Sequence, residues 1–321
     1  MHTQHDMQDT QKTLTVRHIR RRSWQAFIAP IALQFYKLWR HNRPTSLKKE
    51  RRTFEYLCAR IPLPENIEQR RTGANGIPCE WQLPAGTEPP PVLFYVHGGG
   101  FVVGSVAGYR PLTYRLANAT GLPLLAVDYS LAPEHPFPTP PDQILQAYGW
   151  LITRYDPAQI IVMGDSAGAN LALSALLQAK REGKPMPRAL VLISPWADLT
   201  LSMPGIRKKA WLDGILHPKR LAMAAELYAS GQDRRQPFLS PLFAEEYAGF
   251  PSTLIQVGTH DILFDEGKAL AERMAQQGVH VELEIWHGMP HVWHLFAHRM
   301  PEGQKAYLHI ADFVKRHLSV S

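Results

Sequence analysis

Gly164-Asp165-Ser166-Ala167-Gly168 places a serine between two glycines, each two residues away. The apolar run Ile160–Met163 before it reads as a strand, and Ala169–Ala179 after it reads as a helix. In that strand–turn–helix setting the pattern forms a nucleophile elbow. Side chains at the glycine positions would clash in so tight a turn, which lifts the serine hydroxyl clear of a sheet. A helix opening at the serine also brings its positive dipole end near developing negative charge. Outside that setting the five-residue pattern is an ordinary turn and carries little weight.

A second motif, His97-Gly98-Gly99-Gly100-Phe101, follows the apolar run Val92–Val96. Acyl transfer passes through a tetrahedral oxyanion that needs at least two aimed N–H donors. Consecutive glycines can offer bare amides, so Gly98, Gly99 and Gly100 are candidate donors together with Ala167, the residue after the nucleophile. A phosphate cradle is the rival reading. It calls for a Lys-Ser/Thr ending, and Phe101-Val102-Val103 does not supply one.

A serine needs a base, and the base an orienting acid. In this arrangement the chain order is Ser, acid, His. Asp261 lies just past the predicted strand Thr253–Val257, where loops carry functional groups. Asp265 and Glu266 fit the opening turn of the next helix, where carboxylates suit the positive dipole end. His287-Gly288-Met289-Pro290-His291-Val292-Trp293-His294 follows the strand Val281–Trp286 and offers three histidines. His291, deepest in that loop, is the expected base, and His287 and His294 are expected to be ordinary. His260 precedes the acid and is set aside.

These groups must be held by a scaffold. Seven short apolar runs read as strands: 78–83, 92–96, 124–128, 160–163, 190–194, 253–257 and 281–286. Several are near-continuous Val/Ile/Leu, as expected where both faces are covered. Helical patterns fall near 109–119, 142–154, 167–181, 265–278 and 303–318. The alternation predicts an α/β fold with a mostly parallel, doubly wound sheet. Residues 197–236 break the rhythm and read as an insertion with a helix near 217–229. Toward the N-terminus, residues 1–13 look polar and frayed. Trp24, Phe27, Ile28, Ile31, Phe35, Leu38 and Trp39 then follow helical spacing, and 46–60 reads as a further helix.

The bulk numbers fit a globular chain of 321 residues with 45% hydrophobic and 20% charged residues. Only Cys58 and Cys79 are present, too few for a disulfide framework or a cysteine zinc site. The net charge of +7 is uneven. Residues 1–60 carry 13 Lys or Arg against 4 Asp or Glu, and the remainder 22 against 24. Basicity confined to one end does not argue for a nucleic-acid partner; it reads as a solvated face or as a peripheral membrane contact through the basic N-terminal helix. No apolar run approaches a membrane span, so stable insertion is not expected. Arg20-Arg21-Arg22 before a short apolar run looks superficially like a leader, but Pro30, Lys37 and the lack of a small-residue cleavage site argue for a cytoplasmic protein.

The motifs together resemble the hormone-sensitive-lipase-like (bacterial family IV) group of α/β-hydrolase esterases. The resemblance runs from about residue 75 to the C-terminus. It rests on His97–Phe101, Asp128-Tyr129-Ser130-Leu131-Ala132-Pro133-Glu134, Gly164–Gly168, Ser194-Pro195-Trp196-Ala197-Asp198, Asp261 within its Asp-Ile-Leu-Phe-Asp-Glu-Gly run, and Gly288–His291. It implies Ser166 as nucleophile, Asp261 as acid and His291 as base, with no metal or cofactor. It also implies an eight-stranded sheet flanked by helices, the core being 61–196 and 237–321, under a helical cap made of 1–60 and 197–236. Phe101, Trp211, Leu212 and Val292 become candidate substrate contacts. The expected activity is hydrolysis of short- to medium-chain acyl esters through an acyl-enzyme, with lactone hydrolysis or deacetylation open on the same triad. A non-catalytic ligand-binding homologue is the alternative of a different class. His291-Val292-Trp293, where many members have His-Gly-Phe, is similar to the acetyl-ester and lactone subset and leaves the acyl-pocket shape open. The oligomeric state is also open, a homodimer included.

Overall fold

The computed structural model describes residues 13–20, 23–25 and 46–319. In chain order it holds β1 (Leu14–Ile19), α1 (Leu47–Cys58), β2 (Ile67–Ala74), β3 (Ile77–Pro84), β4 (Val92–Val96), α2 (Val106–Thr120), β5 (Leu124–Val127) and α3 (Thr139–Ile152). Then come β6 (Ile160–Asp165), α4 (Ser166–Arg181), β7 (Ala189–Ile193), α5 (Gly205–Lys208), α6 (Pro218–Ala229), β8 (Ser252–Gly258), α7 (Phe264–Gln276), β9 (Val281–Trp286) and α8 (Pro301–Leu318).

The strands form one nine-stranded sheet in the order β1-β9-β8-β7-β6-β4-β5-β3-β2. Among the described strands only the β2–β3 and β3–β5 pairings are antiparallel. From β4 the chain goes to β5 on one side and then to β6 on the other. Strand order therefore reverses at β4/β6, the place where open α/β sheets bind ligands in a crevice outside the carboxyl ends of the strands.

The central strands are apolar throughout because both faces are covered. In β4, Val92, Phe94 and Val96 join one core layer, and Leu93 and Tyr95 join the other. Helices α3, α4 and α7 cover the first face, through Tyr148, Leu173 and Leu270 among others. Helices α2 and α8 cover the second, through Leu112, Leu116, Ile310 and Phe313. Each of these large side chains contributes about 1.5–3 kcal/mol by leaving water.

The sheet has one strand more than the eight expected. Leu14–Ile19, inside the segment assigned to the cap, pairs in parallel with β9 from Leu14↔Val281 to Ile19↔Trp286. Thr13 Oγ1 donates to the Ala275 carbonyl at 2.9 Å, and the Ser23 N–H and hydroxyl both donate to Glu302, at 2.5 and 2.9 Å. Apart from Trp24, which is exposed, the apolar stripe from Trp24 to Trp39 lies outside the described residues.

Candidate active site

The crevice collects loops from the carboxyl ends of β4, β6, β8 and β9. Ser166 sits at the β6–α4 turn with φ 52°, a left-handed backbone that serine adopts only when its surroundings impose it. The turn around it is tight enough to require glycine on both sides. A β-carbon on Gly168 would lie 2.2 Å from the Val96 carbonyl oxygen, and one on Gly164 would lie 2.7 Å from the Gly168 backbone.

Ser166, His291 and Asp261, apart in sequence, form one hydrogen-bonded line. His291 Nε2 lies 2.9 Å from Ser166 Oγ, and His291 Nδ1 lies 2.9 Å from Asp261 Oδ2. All three are buried. Asp261 Oδ1 accepts the Leu263 N–H at 2.8 Å, which fixes the carboxylate plane. The acid and base loops are laced together: Gly288 N–H donates to Thr259 Oγ1 at 2.8 Å, and His260 N–H to the Met289 carbonyl at 3.1 Å. Burial pulls the imidazole pKa of His291 down, but the charge and hydrogen bond of Asp261 outweigh it, with Asp213 and Asp165 adding; the ring ends above its ordinary value.

The glycine loop packs between the elbow and the insertion. Gly98 departs from the sequence expectation. Its N–H donates to Asp165 Oδ1 at 2.8 Å and is spent on holding the loop. The amides of Gly99 and Gly100 have no such bond among the described residues. Gly99 has φ 112°, and a β-carbon there would lie 2.0 Å from the Val103 carbonyl oxygen, so only glycine fits. His97, stacked on Tyr129 at 4.3 Å, anchors the start of the loop, and Tyr129 Oη donates to the His97 carbonyl at 2.8 Å. Arg51 of α1 holds the far side, donating to the Val102 and Ala132 carbonyls and to Glu134, each bond at 2.7–2.8 Å.

The four expected substrate contacts are dispersed. Phe101 is fully buried and stacks face to face on Tyr228 at 3.9 Å, so it is packing between loop and insertion. Val292 points into the core layer of Leu93 and Tyr95. Trp211 is 73% exposed on the insertion, and Leu212 beside it is half-buried. Apolar character alone could not separate pocket wall from core or surface. The other histidines are placed elsewhere: His287 Nε2 faces His18 Nδ1 at 3.1 Å, and His294 Nε2 meets Gln256 Oε1 at 2.7 Å.

Two buried acids, Asp165 and Asp213, were not singled out by sequence reasoning, and Glu266, expected at the opening of a helix, is buried as well. Asp165 accepts from Tyr95 Oη, the Gly98 amide and Tyr109 Oη; burial pushes its carboxyl up to about 6. Asp213, in the insertion, is pushed up to about 6 by burial and by the charge of Asp261. Glu266 receives the Ala197 and Asp198 amides at 2.5 and 2.7 Å, and burial raises it well above the usual carboxylate range. Asp165 lies inside the serine motif and Glu266 inside the run that carries Asp261, whereas Asp213 lies in no motif. Among the described residues no group of three or more His, Cys, Asp or Glu is arranged to hold a metal ion.

Comparison with known proteins agrees with this architecture. Residues 93–295 match the model of an α/β-hydrolase-fold family. An esterase of Acinetobacter venetianus is 35% identical over 82% of this chain and 87% of its own. An acetyl-hydrolase of Streptomyces hygroscopicus is 37% identical over 71% of this chain and 76% of its own. An ethyl acetate hydrolase of Pseudomonas putida is 32% identical over 70% and 73%. The crystal structure of an esterase from the bacterial hormone-sensitive lipase family superposes with TM-score 0.87 at 35% identity, covering 92% of this chain and 99% of that one. The chain belongs to the α/β-hydrolase family, among the esterases related to hormone-sensitive lipase. It is a carboxylic ester hydrolase of the serine type. No helix among the described residues is long and apolar enough to cross a membrane.

Proposed function

We propose that Ser166, His291 and Asp261 are its catalytic triad and that its substrates are esters of short- to medium-chain acids. The observation that carries the triad is the unbroken line from Ser166 Oγ through the imidazole to Asp261, at 2.9 Å on each side. Ser166 Oγ attacks the ester carbonyl as His291 Nε2 takes its proton. Asp261 holds the Nδ1–H tautomer and stabilises the imidazolium. The amides of Gly99, Gly100 and Ala167 receive the oxyanion, with Gly98 supporting them through Asp165. The imidazolium then protonates the leaving alcohol, and water, activated by the same base, releases the acid. None of these steps calls for a metal or cofactor.

The acyl preference rests on the roof of the site and on the relatives. Helix α6 lies over the glycine loop, with Tyr228 stacked on Phe101 and the Ala224 side chain 3.7 Å from where a β-carbon on Gly100 would stand. We assign 197–236, together with α1, to the cap. Two relatives are named for acetyl and ethyl acetate hydrolysis, which favours small acyl groups here. The two free thiols, Cys58 and Cys79, support a cytoplasmic setting. Hydrolysis of p-nitrophenyl esters from acetate to palmitate tests the reading. The expected kcat/KM is highest at short chains and falls steeply beyond medium length; a maximum at palmitate would contradict it.

A further inference from the structure

The insertion between β7 and β8 does more than roof the crevice. Its turn at 209–216 grips the loop that carries Asp261. Asp213 Oδ2 accepts the N–H of Ile262, the residue directly after Asp261, at 3.0 Å. Asp213 Oδ1 accepts the Ile215 and Leu216 amides at 2.8 and 2.9 Å, which sets the turn itself. Lys209 completes the grip: its Nζ donates to the Thr259 carbonyl at 2.9 Å, and its own carbonyl receives the Asp213 N–H at 3.0 Å. Asp213 is fully buried. A buried carboxylate costs several kcal/mol unless hydrogen bonds and favourable charge compensate it. Here three backbone N–H donors occupy both carboxylate oxygens, which ties the turn at 209–216 to the loop of Asp261.

We infer that Asp213 is a positioning residue for the reaction: from the insertion it fixes the Asp261 loop and presents a second negative charge to His291. The inference rests on the triad reading above. The charge of Asp213 raises the His291 imidazole, after Asp261 itself, and the same attraction lowers Asp213. The elements packed around Asp213 also carry Arg207, Lys208, Lys209 and His217 of the insertion, His260 and Asp261 on the acid loop, and Asp265 and Glu266 on α7. Asp261 disfavours the Asp213 anion, and His291 favours it. The Asp213 anion therefore adds its charge to that of Asp261 where the base is needed for catalysis, above about pH 6.

The consequence is readable in kinetics. Removing a buried negative charge beside an imidazole destabilises its protonated form. In Asp213→Asn the acid limb of the kcat/KM profile should move to lower pH. The plateau kcat should fall about 10–100-fold, because a displaced acid loop misaligns the base and because the imidazolium is less stabilised. The amide oxygen can serve only one of the two sets of donors, so Asp213→Ala, which serves neither, should lose more. The experiment is the pH–rate profile on p-nitrophenyl acetate, pH 5–9 at constant ionic strength, for wild type, Asp213→Asn and Ser166→Ala. A lower plateau together with a shifted acid limb supports the assignment. A wild-type acid limb in Asp213→Asn overturns it, whatever happens to kcat, since the His291 imidazole would then feel neither the Asp213 charge nor any shift of the Asp261 loop. Activity surviving in Ser166→Ala would instead overturn the triad reading, which keeps the two failures apart.

Discussion

The Gly98 N–H donates to Asp165 Oδ1 at 2.8 Å, so the residue before the serine holds the loop that faces it. Tyr95 and Tyr109 satisfy the rest of that carboxylate at 2.7 and 3.2 Å. Elbow and glycine loop are thereby one unit rather than two neighbouring motifs.

Asp165→Ala should cost about 1–3 kcal/mol for each buried donor it abandons and lower kcat with little change in KM, because the Gly99 and Gly100 amides lose their anchor. Asp165→Asn keeps an acceptor for Gly98 and should retain most activity. The sign of its pH dependence follows from burial. The folded-state pKa, about 6, lies above the unfolded carboxylate value. Protonation therefore favours folding, and that contribution is lost as pH rises from about 4 through 6. The neutral asparagine variant should gain stability relative to wild type over that window, as read by urea unfolding at a series of pH values.

Gly168→Ala should be far more damaging than an ordinary helical glycine-to-alanine change, which helix propensity would favour. The new methyl has the Val96 oxygen 2.2 Å away and the His97 oxygen 2.4 Å away, both backbone atoms. We expect a loss of about 2–4 kcal/mol and a large drop in kcat. Unfolding midpoints and ester turnover on the same preparation check both halves; wild-type values would contradict the close-approach account.

His294 gives the opposite pH sign. Burial lowers its imidazole to about 3, so it stays neutral in the fold and bonds Gln256. Unfolded, it titrates near its ordinary value of about 6.5. Its contribution is present above that value and is lost as pH falls toward 3, at up to about 1.4 kcal/mol per pH unit. His294→Gln should flatten the stability–pH curve on the acid side, measured by the same urea series.

What the sequence disclosed follows burial and motif density. β4, β6, β7 and β8 were legible because two covered faces demand unbroken apolar runs. The edge strands were not. β1 reads Leu-Thr-Val-Arg-His-Ile and β2 reads Ile-Glu-Gln-Arg-Arg-Thr-Gly-Ala, with mostly exposed side chains whose strand character comes from pairing rather than from apolar content. At the site, glycine spacing and chain order pointed to Ser166, Asp261 and His291. The role of the Gly98 amide depends on where Asp165 points, and the packing of Phe101 and Val292 depends on which layer faces them. Asp213 lies outside every motif and reaches Ile262 only through the fold of the insertion.

The most direct test is Ser166→Ala on p-nitrophenyl acetate, with circular dichroism and thermal unfolding to show that the fold is intact. The account predicts a folded variant whose turnover falls at least about 10³-fold, toward the background rate. A folded Ser166→Ala protein retaining a substantial part of wild-type turnover would contradict the assignment of Ser166 as nucleophile.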